Sequence, residues 1–539
     1  MNRIFKVIFS KIKGIFVVTG ENAKAQGKSN HLKAVTASLM LMNILSITGT
    51  VNAASTSTYI SNQSDWNSID VTGTIPSINF HNGETGNDDQ GQTIQPHAIQ
   101  SKIELLNLKG KDLNIETGKN DSSSAAFLSE NGNVIIGNTD NQLDKVTFNN
   151  TGSRYLLHFL QTGRMSVEAK TIDFVYTNRV VDSSVAAISL EGSSLLNLSA
   201  KTITGTANVP ETTTKNAESF FKATGVGTEI NFGSIANKDE DHSFYLDTLN
   251  LTAEQKVSTL LGVRQGGKIN IFADQVLLEN KTTNGSILAT YNPNADHLGQ
   301  ITIVGSNVAM NSDIPINITN PGNISLGTED SPIQNLTIIS TADNGNAINI
   351  QSDEKGTENQ GTIDIHSNGQ LIISGNIDAA TKMREDGRVS TSAGYAININ
   401  QGKNDGGTVA IEGNILTGSR DGLQRDSSDT SNDTKNLTVN ISLSGDQSYL
   451  KGSIIDYNEQ EGGIANGAGT TLNLSNNATW NATSDSTVKT ITSNGANINL
   501  GPNKAAINDY TSGTKGATIT MDGSKSEQLT LNNSSGSGT

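Results

Sequence analysis

The stretches Gly267-Lys-Ile-Asn-Ile271, Gly299-Gln-Ile-Thr-Ile303 and Gly361-Thr-Ile-Asp-Ile365 share one pattern, Gly-x-Φ-x-Φ, where Φ is an apolar residue. After each glycine, apolar and polar residues alternate, which is the period of a β-strand with one buried face. The pattern recurs, once with an extra residue, at 163–167, 227–232, 322–326 and 407–411. The chain therefore repeats one strand unit from residue 163 to residue 411.

Other short strands flank this unit. One set precedes many of the glycines (187–190, 258–261, 286–289, 347–350 and 396–399), and another follows, as at 276–278 and 371–374. Three short strands per repeat, separated by Gly, Asn and Asp turns, predict an all-β fold, a right-handed parallel β-helix. The alternative is one or more β-sandwiches, which so frequent a repeat disfavours.

The repeat also predicts which side chains fill the core. At roughly 25 residues a coil, residues 100–465 would form about 15 coils with ~4.8 Å between neighbours. We expect the apolar residues of the repeats to point into one column, among them Ile269, Ile271, Ile301, Ile303, Ile363, Ile365, Val409 and Ile411.

Composition limits the classes of partner. The net charge is −16, and because residues 1–54 hold seven bases and one acid, the remainder carries about −22. An acidic chain argues against a nucleic-acid partner, which would require a basic surface. With no cysteine, the fold must be held by burial and backbone pairing rather than by disulfides.

The N-terminus has the layout of an export signal. Seven basic side chains within residues 1–33 precede a charge-free apolar run, 35–50, which closes at Val51-Asn52-Ala53-Ala54. A basic region, an apolar run and small residues describe a secretory signal peptide with cleavage near Ala53. The alternative, a membrane anchor, is disfavoured because a spanning helix needs ~20 apolar residues.

The extension ahead of that run carries a more specific resemblance. The residues concerned are Asn2, Ile4, Phe5, Lys6, Val7, Ile8, Phe9, Val17, Val18, Glu21, Ala23, Lys24, Gly27, Lys28 and Ser29. Together they resemble the extended signal peptide region of Gram-negative type V secretion proteins. The resemblance implies export through the inner-membrane secretion machinery.

A second resemblance lies near the C-terminus. Residues 471–488, which include Trp480, and residues 491–500 resemble the last coils of pertactin-like and AIDA-type autotransporter passengers. Leu529 to Thr539 resembles the element that follows them. In that family a translocator barrel comes next, and the barrel is absent from this chain. We therefore expect a truncated passenger, which is periplasmic if the truncation is real and lies at the cell surface or outer membrane, or is extracellular, in the full-length form.

The resemblances and the repeat together give a domain layout. Residues 1–30 are the extended signal peptide region, 31–54 the signal peptide core and cleavage site, and 55–99 an N-terminal cap or loop region. Residues 100–465 are the β-helix passenger, and 466–539 are the C-terminal coils. If the last strands lack a cover, we expect an exposed apolar edge formed by Leu472, Leu474, Trp480, Val488, Ile498, Leu500, Leu529 and Leu531.

From the sequence we assign no catalytic, cofactor-binding or metal-ligating residue. The seven histidines stand singly, without the spacing of metal ligands. Asp241-His242-Ser243 is better explained as a solvated turn than as a triad, since triads assemble from distant segments. Asn87-Asp88-Asp89 and Asp239-Glu240-Asp241 lack calcium-loop spacing and are expected to be solvated acidic loops.

Three functions remain open. The first is an adhesin passenger, a β-helical rod that mediates adhesion, autoaggregation or biofilm formation by contacting host or sister-cell surface molecules. The second is a two-partner-secreted haemagglutinin-type exoprotein, and the third is a passenger with an enzyme site in an inserted loop. We expect no enzyme and no cofactor, and we expect recognition to use the long insertions 206–224, 235–246, 376–394 and 419–434.

Overall fold

A computed structural model describes most of the chain. The described residues are 5–10, 15–20, 58–80, 99–117, 126–128, 132–150, 155–177, 185–210, 215–233, 246–291, 297–319, 322–350, 361–380, 395–418, 437–457, 469–523 and 527–537. They belong to two compact units, residues 1–55 and residues 56–539.

The first unit contains an antiparallel strand pair. Strand β1 (Phe5–Ser10) pairs with β2 (Ile15–Gly20), with Phe5 opposite Gly20 and Ile8 opposite Val17. Both strands lie in the segment that the sequence assigns to the export signal.

The second unit contains one short α-helix, one 3-10 helix and forty strands within the described residues. The N-terminal elements are β3 (Thr58–Tyr59), α1 (Gln63–Asn67), β4 (Ile78–Asn79), β5 (Lys102–Leu105), β6 (Asp112–Thr117), β7 (Ala126–Leu128), β8 (Asn133–Ile136), the 3-10 helix (Thr139–Asn141), β9 (Leu143–Asn150), β10 (Leu157–Phe159) and β11 (Arg164–Tyr176). Next come β12 (Ala186–Glu191), β13 (Leu195–Ser199), β14 (Thr202–Asn208), β15 (Ala217–Thr224), β16 (Glu229–Phe232), β17 (Leu246–Gln255), β18 (Val257–Arg264), β19 (Lys268–Asn280), β20 (Ser286–Tyr291), β21 (Gly299–Val304) and β22 (Asn307–Ser312).

The remaining strands form the C-terminal half of this unit. They are β23 (Ile314–Ile318), β24 (Gly322–Leu326), β25 (Ile333–Ser340), β26 (Asn346–Ile350), β27 (Gly361–Ile365), β28 (Ser367–Ser374), β29 (Asn376–Asp378), β30 (Tyr395–Ile399), β31 (Thr408–Glu412), β32 (Ile415–Thr417), β33 (Leu437–Ser444), β34 (Tyr449–Lys451), β35 (Ile454–Asp456), β36 (Gly469–Ser475), β37 (Thr479–Asn481), β38 (Ser486–Asn494), β39 (Ala496–Gly501), β40 (Lys504–Ser512), β41 (Ala517–Met521) and β42 (Gln528–Gly536).

These strands stack into three parallel ladders, here called sheets 1, 2 and 3. Sheet 1 contains β5, β8, the start of β11, β13, β16, the start of β19, β21, β24, β27, β30, β33 and β36. Sheet 2 runs from β3 to β41 and includes the ends of β11 and β19. Sheet 3 runs from β7 to β35, and β38, β40 and β42 continue sheets 3 and 1 together.

The chain passes through sheets 3, 1 and 2 in turn and then begins the next coil. Ile269 on β19 pairs with Ile301 on β21, which pairs with Ile324 on β24, and the column continues through Ile363. The second unit is therefore a right-handed parallel β-helix, and the predicted fold class is confirmed.

The residues predicted to form the core column are buried, as expected, but they do not all lie in the same sheet. All eight predicted residues are at most 1% exposed and lie in one apolar cluster. Val409 and Ile411, however, belong to β31 in sheet 2, while the other six lie in sheet 1. The sheet 1 strand of that coil is β30, which begins with Tyr395 rather than glycine, so the pattern at 407–411 is out of phase with the others.

The glycine of the repeat stands at the corner between sheets 3 and 1, where the next coil approaches closely. A Cβ at Gly361 would collide with the ring of Tyr395, and one at Gly322 would collide with Thr290. The Tyr395 hydroxyl donates to the carbonyl oxygen of Gly322 (2.9 Å) and accepts from its N–H (2.7 Å). Burial of the hydroxyl raises the pKa of Tyr395. The repeat needs glycine here for space.

The coils are of unequal length. The register partners Asn197 and Asn231 are 34 residues apart in the chain, and Asn231 and Asn270 are 39 apart. Near the C-terminus, Asn481 and Asn499 are only 18 apart. The expected average of about 25 residues is too short for the middle of the stack, because the connections between the sheets add residues that the strand pattern does not include.

The predicted apolar edge near the C-terminus is largely wrong. Leu472, Leu474, Trp480, Val488, Ile498 and Leu500 are at most 2% exposed, because β38 to β42 stack on them. Trp480 fills the core and donates its indole N–H to the carbonyl oxygen of Gly452 at 3.0 Å. Within the described C-terminal coils, the exposed large apolar side chains lie in the last two strands, where Ile519, Met521 and Leu531 are 36–38% exposed.

Candidate functional site

The long insertions differ from the expected recognition loops. Within 206–224, β14 extends to Asn208 and β15 begins at Ala217, and Phe220 and Phe221 of β15 are fully buried. Most of that segment is therefore core strand, and its prediction as a loop is wrong. Residues 376–378 likewise form β29. Residues 235–245, 381–394 and 419–434 lie outside the described part of the chain.

Among the histidines that the structure describes, His158 and His366 lie beside carboxylates. Nε2 of His158 is 3.6 Å from Oε1 of Glu191, and the His158 ring stacks on Tyr155 at 4.4 Å between centroids. The neighbouring His158 imidazole is the largest of the influences that lower the pKa of Glu191. The Asp241-His242-Ser243 segment and both acidic runs, 87–89 and 239–241, are outside the described residues.

The second pair lies at the corner between sheets 1 and 2. Nδ1 of His366 is 2.9 Å from Oδ2 of Asp405, and that carboxylate also accepts the N–H of Gly402 at 2.6 Å. The Asp405 side chain is 2% exposed and that of His366 16%. No hydroxyl of the described residues hydrogen-bonds to His366, so the pair joins two coils without forming a catalytic triad.

An ionic cluster covers part of the outer surface of sheet 3. Glu218 contacts Nζ of Lys222 at 3.1 Å and also contacts the guanidinium of Arg264, which lies 5.3 Å from the ring centre of Tyr291. Glu218 and Lys222 are each 7% exposed, and burial raises the pKa of Tyr291 to about 12. The ion pairs join β15 to β18, and the Arg264 guanidinium reaches Tyr291 on β20, so the cluster links three consecutive coils.

A shallow cavity of about 300 Å³ lies on the outer surface of the C-terminal coils. Its walls mix polar and apolar residues, namely Ile455, Asp485, Ser486, Thr487, Lys504, Ala505, Ala506, Gln528 and Thr530. Asp485 already accepts the backbone N–H of Lys504 at 2.8 Å. Within the described residues, no three His, Cys, Asp or Glu side chains are grouped so as to hold a metal ion.

A pair of side-chain ladders lies on the outer surface of sheet 1. In the first, Asn270 donates to Asn231 at 2.9 Å, and Asn231 donates to Asn197 at the same distance. In the second, Asn440 donates to Asn398 (2.9 Å) and Asn398 to Asp364 (2.8 Å). We call these six residues the sheet 1 ladder.

The sequence contained a signal for this ladder. In Leu196-Asn-Leu198, Ile230-Asn-Phe232, Ile269-Asn-Ile271, Ile397-Asn-Ile399 and Val439-Asn-Ile441, an amide stands between two apolar residues. Because strand residues alternate between faces, this amide must point outward wherever its neighbours are buried. Sequence reasoning placed recognition in the spacers and so missed this line of amides within the strands.

Comparison with known protein families identifies the leader. Residues 1–49 match the family described as Extended Signal Peptide of Type V secretion system. The leader marks a type V secretion autotransporter. It implies export of the chain across the inner membrane. No curated protein and no solved structure matches the chain significantly. The AIDA-type or pertactin-like subtype therefore stays a prediction.

The described residues contain no helix with the length and apolar character needed to cross a membrane.

Proposed function

We propose that the β-helix is the passenger of an adhesin, related to the AIDA-type and pertactin-like group, that acts at the cell surface. Its role is adhesion, autoaggregation or biofilm formation, by binding rather than by catalysis. The leader supports export, and the β-helix supplies a rigid scaffold on which weak contacts can be repeated.

The observation that carries this proposal is the sheet 1 ladder. An Asn side chain has two N–H donors and an acceptor oxygen, and a ladder bond uses only some of them. Among the described residues, Asn231 and Asn398 each use one N–H and the side-chain oxygen in the ladder, while Asn270 uses both N–H groups, one on Asn231 and one on Glu229 (2.7 Å). These half-buried amides therefore offer a partner one N–H of Asn231, one N–H of Asn398 and the oxygen of Asn270 along the strand-stacking direction. Such a surface suits a partner with regularly spaced hydroxyl or amide groups, as on a surface glycan or on another copy of the passenger.

The test compares two ladders on different sheets. Asn231→Ala with Asn398→Ala interrupts the sheet 1 ladder. The control, Asn335→Ala with Asn499→Ala, interrupts the sheet 2 bonds of Asn335 to Asn307 (2.7 Å) and of Asn499 to Asn481 (2.8 Å). Beads coated with each purified variant are mixed with host cells to measure adhesion, and with beads that carry the same variant to measure aggregation. We expect the sheet 1 variant to lose most of the binding and the control to keep it.

Equal binding by both variants would contradict the assignment to sheet 1. A separate screen addresses catalysis: the purified chain is incubated with glycoside, ester and peptide substrates, alongside a His366→Ala control. Turnover that disappears with His366→Ala would contradict a function by binding alone and would assign chemistry to the pair with Asp405.

A further inference from the structure

The N-terminal end of the β-helix is closed by residues 58–80. Asn62 accepts the N–H groups of Ser64 and Asp65, and the Asp65 carboxylate accepts the N–H of Asn62, which forms a capping box at the start of α1. The helix places Trp66, 5% exposed, over the apolar column, next to the buried Ile60 and Ile78.

Helix α1 also reaches the edge of sheet 1. Strand β5 pairs with β8 on one side, where the carbonyl oxygens of Ser101 and Leu105 accept N–H groups from the next coil. In a parallel ladder successive residues direct their backbone groups to opposite sides, so the N–H and C=O of Glu104 point away from β8. Left bare, these two groups would be a template for another strand.

The Gln63 amide occupies the place of that strand. Its Nε2 donates to the carbonyl oxygen of Glu104 at 3.0 Å, and its Oε1 accepts the N–H of Glu104 at 2.6 Å. One primary amide thus reproduces both hydrogen bonds that a neighbouring peptide would make. The Nε2 atom also donates to Oδ1 of Asn67 at 3.0 Å, which fixes the amide to its own helix.

We propose that Gln63, held by α1, is an edge guard that prevents a strand of a second copy of this chain from adding to β5. This inference does not depend on the adhesive function proposed above. With the Glu104 groups of β5 occupied, a second copy cannot extend sheet 1 from its first strand.

The experiment uses the whole chain and Gln63→Met, because methionine keeps the length and helix propensity of the side chain but makes neither backbone hydrogen bond. The chain has no native cysteine, so Lys102→Cys on β5 gives one reactive thiol at the guarded edge. We expect Gln63→Met to raise the dimer mass fraction in light scattering, and the disulfide yield at Lys102→Cys, several-fold.

Two controls locate the effect. Asn67→Ala removes the other bond of the amide and leaves both bonds to Glu104, so this variant is expected to keep the dimer fraction of the parent chain. A thiol placed instead at the exposed Lys451 on sheet 2 is expected to show no rise in disulfide yield. Trp66 fluorescence and circular dichroism verify that α1 remains docked in Gln63→Met.

A folded Gln63→Met chain whose dimer fraction and disulfide yield at Lys102→Cys do not exceed those of the parent chain would overturn the proposal. Equal cross-linking at Lys102 and Lys451 would also overturn it, since association would then not use the β5 edge. If Gln63→Met releases α1 and the chain still fails to associate, the edge needs no guard and the proposal fails.

Discussion

The first and the last described coils of the β-helix are covered differently. At the N-terminal end, α1 covers the core with Trp66, and Gln63 occupies the backbone groups of β5. In the last described coils, short stacked strands bury Trp480, while Ile519, Met521 and Leu531 on β41 and β42 keep more than a third of their surface exposed. A dedicated cap separates the apolar column from water at one end, and at the other end burial decreases strand by strand.

The largest expected contrast is between the middle of the stack and its last coil. Ile363→Asp places an unpaired carboxylate in the column, where the residue is 0% exposed, and we expect it to cost several kcal/mol of unfolding free energy. Ile519→Asp, at a site 36% exposed, is expected to stay within about 1 kcal/mol of the parent chain. Urea unfolding followed by far-UV circular dichroism measures both. A small effect at Ile363 would place that side chain outside the core.

The second contrast separates the two ends, each of which contains one of the two tryptophans. Trp66→Ala should cost about 3–5 kcal/mol in the N-terminal coils, because it removes a large buried side chain. Solenoid stability is a sum of neighbour interfaces, so the fluorescence transition of the remaining Trp480 should hardly move. Hydrogen exchange should accelerate in residues 99–117 alone. If the unfolding free energy read from Trp480 fell as much in Trp66→Ala as that of the N-terminal coils, the whole stack would unfold as one unit.

The sequence was sufficient for the fold and insufficient for the surface. Alternation in stretches such as Ile269 to Ile271 reports burial directly, so the inward-facing residues of these strands could be predicted. Which sheet a strand joins was harder to predict. Val409 and Ile411 have the same local pattern as the strands of sheet 1 and yet pair in sheet 2. Register depends on the lengths of the connections, which the strand pattern does not encode.

Predicting the polar contacts would have required even longer-range information, because their residues are far apart in the chain. His366 and Asp405 are 39 residues apart in the chain and meet only because the coils stack in one register. The bonds of Gln63 to Glu104, 41 residues away, depend on how α1 crosses the first coil. The Asn ladder was visible in principle, since each amide stands between two buried apolar residues. No comparable pattern marks the ion cluster around Glu218.

A smaller expected effect is an opposite response of the two ends to pH. A hydrogen bond from the Ser61 hydroxyl, followed by one from its N–H, lowers the pKa of Asp65 from the ordinary 3.8. The stability that Asp65 contributes is present above that ordinary value and is lost as pH falls through the lowered pKa. The N-terminal cap should therefore weaken in acid.

The C-terminal coils should respond in the other direction. Burial raises the pKa of Asp456, which is 0% exposed and accepts hydrogen bonds from Thr417, Thr470 and the N–H of Lys489. Its contribution is fully present below the ordinary value of 3.8 and is lost as pH rises through the raised pKa. Unfolding curves at about pH 3 and about pH 7, read from Trp66 and from Trp480 in single-tryptophan variants, measure the two slopes. Asp65→Asn and Asp456→Asn should each flatten one slope, and parallel slopes would contradict both assignments.

The smallest expected effect on stability concerns the last described strand. Leu531→Ser replaces a side chain that is 37% exposed, and we expect the unfolding free energy to change by no more than about 0.5 kcal/mol. The same change should reduce concentration-dependent association, because exposed apolar surface on Ile519, Met521 and Leu531 favours contact between molecules.

Leu472→Ser is the matched control, since that side chain is 0% exposed. It should cost several times more stability, because it leaves a cavity and a polar group in the core. Sedimentation velocity across a concentration series measures association, and urea unfolding measures stability. If Leu531→Ser destabilised the chain as much as Leu472→Ser, the burial gradient along the C-terminal coils would be absent, and the two ends would be equally well covered.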